Sequence, residues 1–259
     1  MQKLTVNGIQ MAFERWGSPG VGMPVVLLHG FPLSHGLWKK LIEHLDGMDI
    51  ITPDLRGCGE SAIVDGAYSI ADMADDVLAL LDALQIERAA LVGHSMGGYV
   101  ALAAARKSPA RIAGLGLVST QALADTPERK VKRYETAEKV GVQGSVFIAN
   151  AMAPDLSADA AQHGTVLWEM ILRQPAAGIM GALAAMAERP AATDLLPTLK
   201  FPVAIIHGLA DALIPVERAR EMKAAMPQAT LTELPDVGHC PMVEAPVETA
   251  KALKGSFGG

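Results

Sequence analysis

The chain has 259 residues, enough for one large α/β domain or for a core with an inserted subdomain. Half the residues are apolar and 19% are charged, which argues against disorder, and a formal net charge of −6 leaves no electrostatic footprint for nucleic acid and disfavours anionic membranes. No apolar run approaches the ~18 residues of a membrane span, no signal-peptide pattern opens the chain, and Cys58 and Cys240 lie far apart without metal spacing, so a reduced, cytoplasmic protein is expected.

Two β-type runs, Leu4 to Val6 and Gln10 to Arg15, flank Asn7-Gly8, a strong hairpin signal. Val25 to Leu28 is apolar at every position, as in a central parallel strand covered on both faces. A helix over Leu37 to Leu45 and a strand over Asp49 to Pro53 follow. Ser69 and Asp72 have the spacing of a capping box, and Ile70, Met73, Val77, Leu80, Leu81 and Leu84 recur at helical spacing behind them. Strand Ala89 to Val92, helix Gly97 to Lys107 and strand Ile112 to Val118 complete a rhythm that implies a parallel sheet with helices on both faces.

From Gln121 to Pro197 the rhythm breaks. Helical segments are expected at Pro127 to Val140, Gln143 to Met152, Ala158 to Leu172 and Ala176 to Ala187, as a cap over residues 121–197 inserted into a core of 1–120 and 198–259. The beat then resumes with strand Val203 to Ile206, helix Val216 to Ala225, strand Ala229 to Leu234 and a closing helix, Val247 to Lys254.

Gly93-His94-Ser95-Met96-Gly97 joins a strand to a helix, and Gly-x-Ser-x-Gly in that setting is a nucleophile elbow. A serine hydroxyl needs a base, and the base an orienting acid. His239, beyond the strand ending at Leu234, supplies the base, and Asp211, beyond the strand ending at Ile206, the acid. All three lie past carboxyl ends of strands, where open α/β sheets bind ligands. The N–H groups of Met96 and Phe31 are the candidate oxyanion donors. Asp236 is the rival acid, but its place three residues before His239 suits a turn.

These motifs resemble the α/β-hydrolase superfamily, in the branch of small carboxylesterases, enol-lactonases and cofactor-free haloperoxidases. The matching segments are His29-Gly30-Phe31-Pro32, Asp54 to Ser61, Gly93 to Gly98, His207 to Asp211 and Val237-Gly238-His239. The resemblance implies a mostly parallel eight-stranded sheet with helices on both faces and an inserted helical cap. It also implies the chain order nucleophile, acid, histidine, and hydrolysis of small to medium carboxylic esters with no cofactor and no metal. Perhydrolysis is a plausible side activity. Epoxide hydrolases and dehalogenases of this kind place aspartate at the elbow.

The expected substrate pocket takes in Gly30, Leu33 and Leu213 from the core, with Met152, Trp168, Ile171, Met180, Leu183 and Met186 from the cap. Enol-lactone or carbon–carbon bond hydrolysis on the same triad is the alternative, with Arg173 or Arg189 to receive a carboxylate, and a non-catalytic ligand receptor is another. The cluster Arg129 to Arg133 suits a solvated helix face, with Glu128–Lys132 and Glu135–Lys139 at paired spacing. The expected partner is a small-molecule ester, not nucleic acid or a membrane. The chain does not fix whether it acts as monomer or dimer.

Overall fold

The computed structural model describes residues 1–64 and 66–257. Strands β1 (Gln2–Val6), β2 (Ile9–Trp16), β3 (Pro24–Leu28), β4 (Asp49–Pro53), β5 (Ala89–His94), β6 (Ile112–Val118), β7 (Val203–Gly208) and β8 (Thr230–Leu234) form one sheet in the order β1-β2-β4-β3-β5-β6-β7-β8. The β1–β2 and β2–β4 pairings are antiparallel and the rest parallel. Asn7 and Gly8 turn the first hairpin with φ of 46° and 79°, the left-handed pair that a two-residue turn of matching twist requires.

The central strands are buried end to end because helices cover both faces. These are α1 (Lys39–Ile42), α2 (Ile70–Ala83), α3 (Met96–Lys107), α8 (Glu217–Ala225), α9 (Pro241–Glu244) and α10 (Pro246–Phe257). Helix α2 begins at a full capping box: Ser69 Oγ accepts from Asp72 N (3.1 Å), and Asp72 Oδ2 accepts from Ser69 N (2.8 Å). Such a cap contributes about 1 kcal/mol. Between β6 and β7 the chain adds α4 (Pro127–Gln143), α5 (Ser145–Met152), α6 (Ala160–Leu172) and α7 (Ala176–Ala187).

One expectation needs correction, and one element was not expected. The helix over Leu37 to Leu45 is a 3₁₀ turn, His35–Trp38, running into the short α1, after which His44 N and Leu45 N reach back only three residues. Helix α9 has no counterpart in the sequence reading, since four residues are too few to show a period. Among the described residues, no single helix is long and apolar enough to cross a membrane.

The strand order reverses at β3, which lies between β4 and β5. That reversal opens a crevice beyond the carboxyl ends of β3 and β5, the usual ligand position in such sheets. His29 to Phe31 follow one of these strands and Ser95 the other.

Candidate active site

Ser95 joins β5 to α3 at φ 50°, ψ −113°, a backbone conformation that side chains rarely adopt. The turn exists because its glycines leave no side chain to collide. A Cβ at Gly93 would lie 2.2 Å from Gly97 O, and one at Gly97 2.1 Å from Leu28 O. Three bonds hold the strained residue: Ser95 N donates to Val118 O (2.9 Å), while Gly98 N (2.9 Å) and Thr120 Oγ1 (2.7 Å) donate to Ser95 O. Gly30 closes the other side, where a Cβ would meet His94 Nδ1 at 2.5 Å and Ser95 Cβ at 3.1 Å. The amides of Phe31 and Met96 donate to no acceptor among the described residues.

Asp211 divides its carboxylate between two tasks. Oδ1 accepts from Leu213 N (2.9 Å) and Ile214 N (3.0 Å), closing its own turn, and Oδ2 lies 2.8 Å from His239 Nδ1. His207 Nε2 adds a 3.3 Å contact to Oδ2 while also donating to Ile214 O (2.8 Å). Burial pushes the Asp211 carboxyl up. The neighbouring His239 and the hydrogen bonds from His207, His239 and Ile214 N outweigh it and hold the group far below the usual carboxylate range. An ionised carboxylate only accepts, so the proton it faces sits on His239 Nδ1, which turns Nε2 away from Asp211.

His239 Nε2 is buried and has no hydrogen-bond partner, and no bond joins it to the Ser95 hydroxyl among the described residues. The structure thus forms the Asp211–His239 bond but not the expected bond from His239 to Ser95. The His239 ring stands 4.8 Å from that of His94, the neighbour of Ser95.

The other histidines hold backbone. His94 Nε2 donates to His239 O (2.8 Å), and burial, with repulsion from His239, keeps His94 well below its ordinary value and neutral. His29 Nδ1 donates to Gly30 O (2.9 Å) and its Nε2 accepts from Leu55 N (3.0 Å), tying the loops after β3 and β4 together. The buried Asp54 fixes the same loops by accepting from His35 N (2.7 Å), His35 Nδ1 (2.9 Å) and Glu60 N (2.9 Å).

Sequence reasoning missed Glu244. Its carboxylate accepts from Gly238 N (3.0 Å) and Cys240 N (3.1 Å), on either side of His239, and from Ala158 N (2.8 Å) of the insertion. The available signal was an acidic residue four places after Cys240, poised to cap the turn that starts α9. Asp236 sits in a turn at φ 57°.

The pocket residues scatter. Gly30 lies against Ser95, and Leu213 sits on the Asp211 turn. Leu33, Ile171, Leu183 and Met186 are buried core, and Met152 is half-buried. Trp168 is a correction: it borders an outer cleft lined only by residues of the insertion, and its Nε1 donates to Asn150 Oδ1 (2.7 Å). It falls one position past Leu167, outside the buried stripe His163, Leu167, Ile171 of α6. Met180 is exposed. Arg189 donates to Asp125 Oδ1 (2.8 Å), Met186 O (2.7 Å) and Leu123 O (2.9 Å) and stacks 3.9 Å over the Tyr99 ring, whereas Arg173 is exposed and pairs with Glu169. The Arg129–Arg133 cluster lies on a largely exposed helix, as expected, and only its ion pairs are corrected. Arg129 and Arg133 pair with the buried Asp125 and Lys130 with Glu188, while Glu128–Lys132 and Glu135–Lys139 form no ion pair among the described residues.

The family described as alpha/beta hydrolase fold matches residues 23–246. The chain belongs to this family. It is similar to a thermophilic esterase from Thermogutta terrifontis, with 41% identity, a TM-score of 0.92 and 98% and 96% of the two chains covered. The enol-lactonase from Burkholderia xenovorans LB400 is 25% identical at a TM-score of 0.90, covering 97% of this chain and 98% of that one. A non-heme chloroperoxidase of Streptomyces lividans is 31% identical over 261 residues, 91% of each protein. The fold is thus the α/β-hydrolase fold, in the branch of small esterases, lactonases and haloperoxidases, and the protein is a hydrolase.

Proposed function

We propose that this hydrolase is a serine carboxylesterase acting on small to medium uncharged esters. Ser95 attacks the ester carbonyl while His239 Nε2 takes its proton. Asp211 holds the imidazole in that tautomer and stabilises its charged form. The Phe31 and Met96 amides receive the oxyanion. His239 then protonates the leaving alcohol, water attacks the acyl-enzyme by the same base, and the acid departs. The observation that carries this reading is the 2.8 Å Asp211–His239 bond beside a serine held at φ 50°. The esterase similar at 41% identity supports the choice of ester over other acyl substrates.

A carboxylated enol-lactone would call for a free cation, and Arg189 is already paired with Asp125, bonded to two carbonyls and stacked on Tyr99. That favours uncharged substrates. Incubation with p-nitrophenyl acetate and butyrate should give steady turnover, and Ser95→Ala should lower kcat by at least about 10⁴-fold with an unchanged melting temperature. Absence of hydrolysis across all acyl lengths overturns the proposal.

A further inference from the structure

A partly open cavity of about 320 Å³ lies along the outer flank of α3, bordered by α2, the chain after β6 and the segment after α7. This lies at the lower end of the range for small-molecule sites, about 300–1,000 Å³. Ile70, Leu102, Ala103, Ala122 and Pro190 give it apolar walls. Besides the cations Arg106, Lys107 and Arg189, two uncharged polar side chains interrupt them, Gln121 and Tyr99, each only 6% exposed. The buried carboxamide of Gln174 makes two hydrogen bonds, and the hydroxyls of Tyr68 and Tyr134 one each. Among the described residues the Gln121 carboxamide and the Tyr99 hydroxyl make none. Their polar atoms are not sealed from solvent, so both stand available to a ligand at the border of the same apolar space.

The wall behind Tyr99 is rigid. The Arg189 guanidinium covers the ring at 3.9 Å and is itself locked to Asp125. At the rim, Arg106 pairs with Asp194 and Lys107 with Asp75, so neither cation calls for an anionic ligand. The cavity is separate from the Ser95 region. A helical rise of about 1.5 Å per residue puts Tyr99 about 6 Å and Arg106 about 16 Å along α3 from Ser95. None of Phe31, Ser95, Met96, Asp211 and His239 borders it.

We infer that this cavity is a second binding site, for a small neutral molecule with an aliphatic body and one carbonyl oxygen that accepts from the Gln121 carboxamide and the Tyr99 hydroxyl. The inference does not depend on the esterase reading. It is tested by titrating the ¹⁵N-labelled protein with 2-octanone and following backbone amide shifts. Saturable shifts are expected at Ile70, Ala71, Tyr99 to Ala103, Gln121, Ala122, Ala191 and Ala192. Ala103→Trp, which fills the cavity from a half-buried position, should abolish them. Gln121→Leu and Tyr99→Phe, close in size to the native residues, should each weaken binding about tenfold, and they carry the test if the tryptophan variant does not fold. Shifts confined to the surroundings of Ser95 and His239, shifts that never saturate, or equal affinity in the near-isosteric variants overturn the inference.

Discussion

Beyond the carboxyl ends of β5, β7 and β8, backbone bonds tie down the residues on which the proposed chemistry rests. Ser95 has three main-chain bonds, Asp211 closes its own turn, and His239 is bracketed by His94 on its carbonyl and by Glu244 on both flanking amides. The four helices between β6 and β7 follow another rule. They leave Val131, Val142, Val146, Val166, Leu172 and Met180 exposed. Polar ties fasten them to the core at a few points: Tyr68 Oη to Gly178 O (3.2 Å), Gly59 N to Gln174 Oε1 (2.8 Å) and Ala158 N to Glu244. Bond making needs groups fixed to within a fraction of an ångström, whereas shaping a pocket does not. Damage to the loops should therefore cost turnover, and damage to the insertion should cost stability and substrate affinity.

The sharpest way to break this division is Asp211→Asn. The amide cannot demand the Nδ1–H tautomer of His239, so kcat for p-nitrophenyl butyrate should fall about 10⁴-fold with little change in KM. A loss below tenfold would make the acid dispensable. Asp125→Asn probes the other half. Asp125 accepts from Arg133 and Arg189 and lies close to Arg129, and Arg189 is itself buried. Losing the charge should cost about 3 kcal/mol in chemical denaturation, with kcat nearly intact. Burial raises the Asp125 carboxyl, but Arg133 and Arg189 outweigh that and hold it below its ordinary value. A depressed group stabilises fully above its unfolded pKa of about 3.9 and loses that contribution as pH falls through the folded value. The gap between wild type and Asp125→Asn should stay level above about pH 5 and narrow below about pH 4. A gap that widens in acid contradicts the assignment.

Local pattern carried the sheet and the elbow. Strands β4 and β6 and helix α7 end where the sequence expects, because each is an apolar run bounded by turn residues. The order Ser95, Asp211, His239 was readable because each follows a strand. Contacts between distant segments were not. Spacing within α4 paired Glu128 with Lys132, but the fold instead brings the buried Asp125 to Arg129 and Arg133 and the exposed Glu188 to Lys130, partners that no spacing within the helix reveals. Trp168 was misplaced because one residue along a helix turns a side chain about 100°, and periodicity alone left the face of α6 open.

Glu244→Gln tests the junction of the two regions. The carboxylate accepts three N–H groups, and a carboxamide would turn its own N–H₂ toward one or two of them. His239 should shift, lowering kcat about 10–100-fold while KM moves little. The rate of fluorophosphonate labelling of Ser95 should fall in parallel. Unchanged labelling with a raised KM would place Glu244 with the insertion instead.

The smallest effect belongs to Gln174→Leu, and it separates the regions most cleanly. Gln174 accepts from Gly59 N and donates to Met170 O (2.9 Å), so it fastens the end of α6 to the loop after β4 without touching Ser95, Asp211 or His239. Leucine fills the same space and strands one amide, at a cost of about 1 kcal/mol, a fall of about 2–4 °C in melting temperature for a chain of this size. The insertion should then close less firmly over bulky esters, so KM should rise a few-fold for long acyl chains and stay level for acetate, with kcat unchanged for both. A fall in kcat comparable to that of Glu244→Gln would mean that the insertion takes part in the bond-making geometry, and the contrast between a fixed floor and an adjustable roof would have to be abandoned.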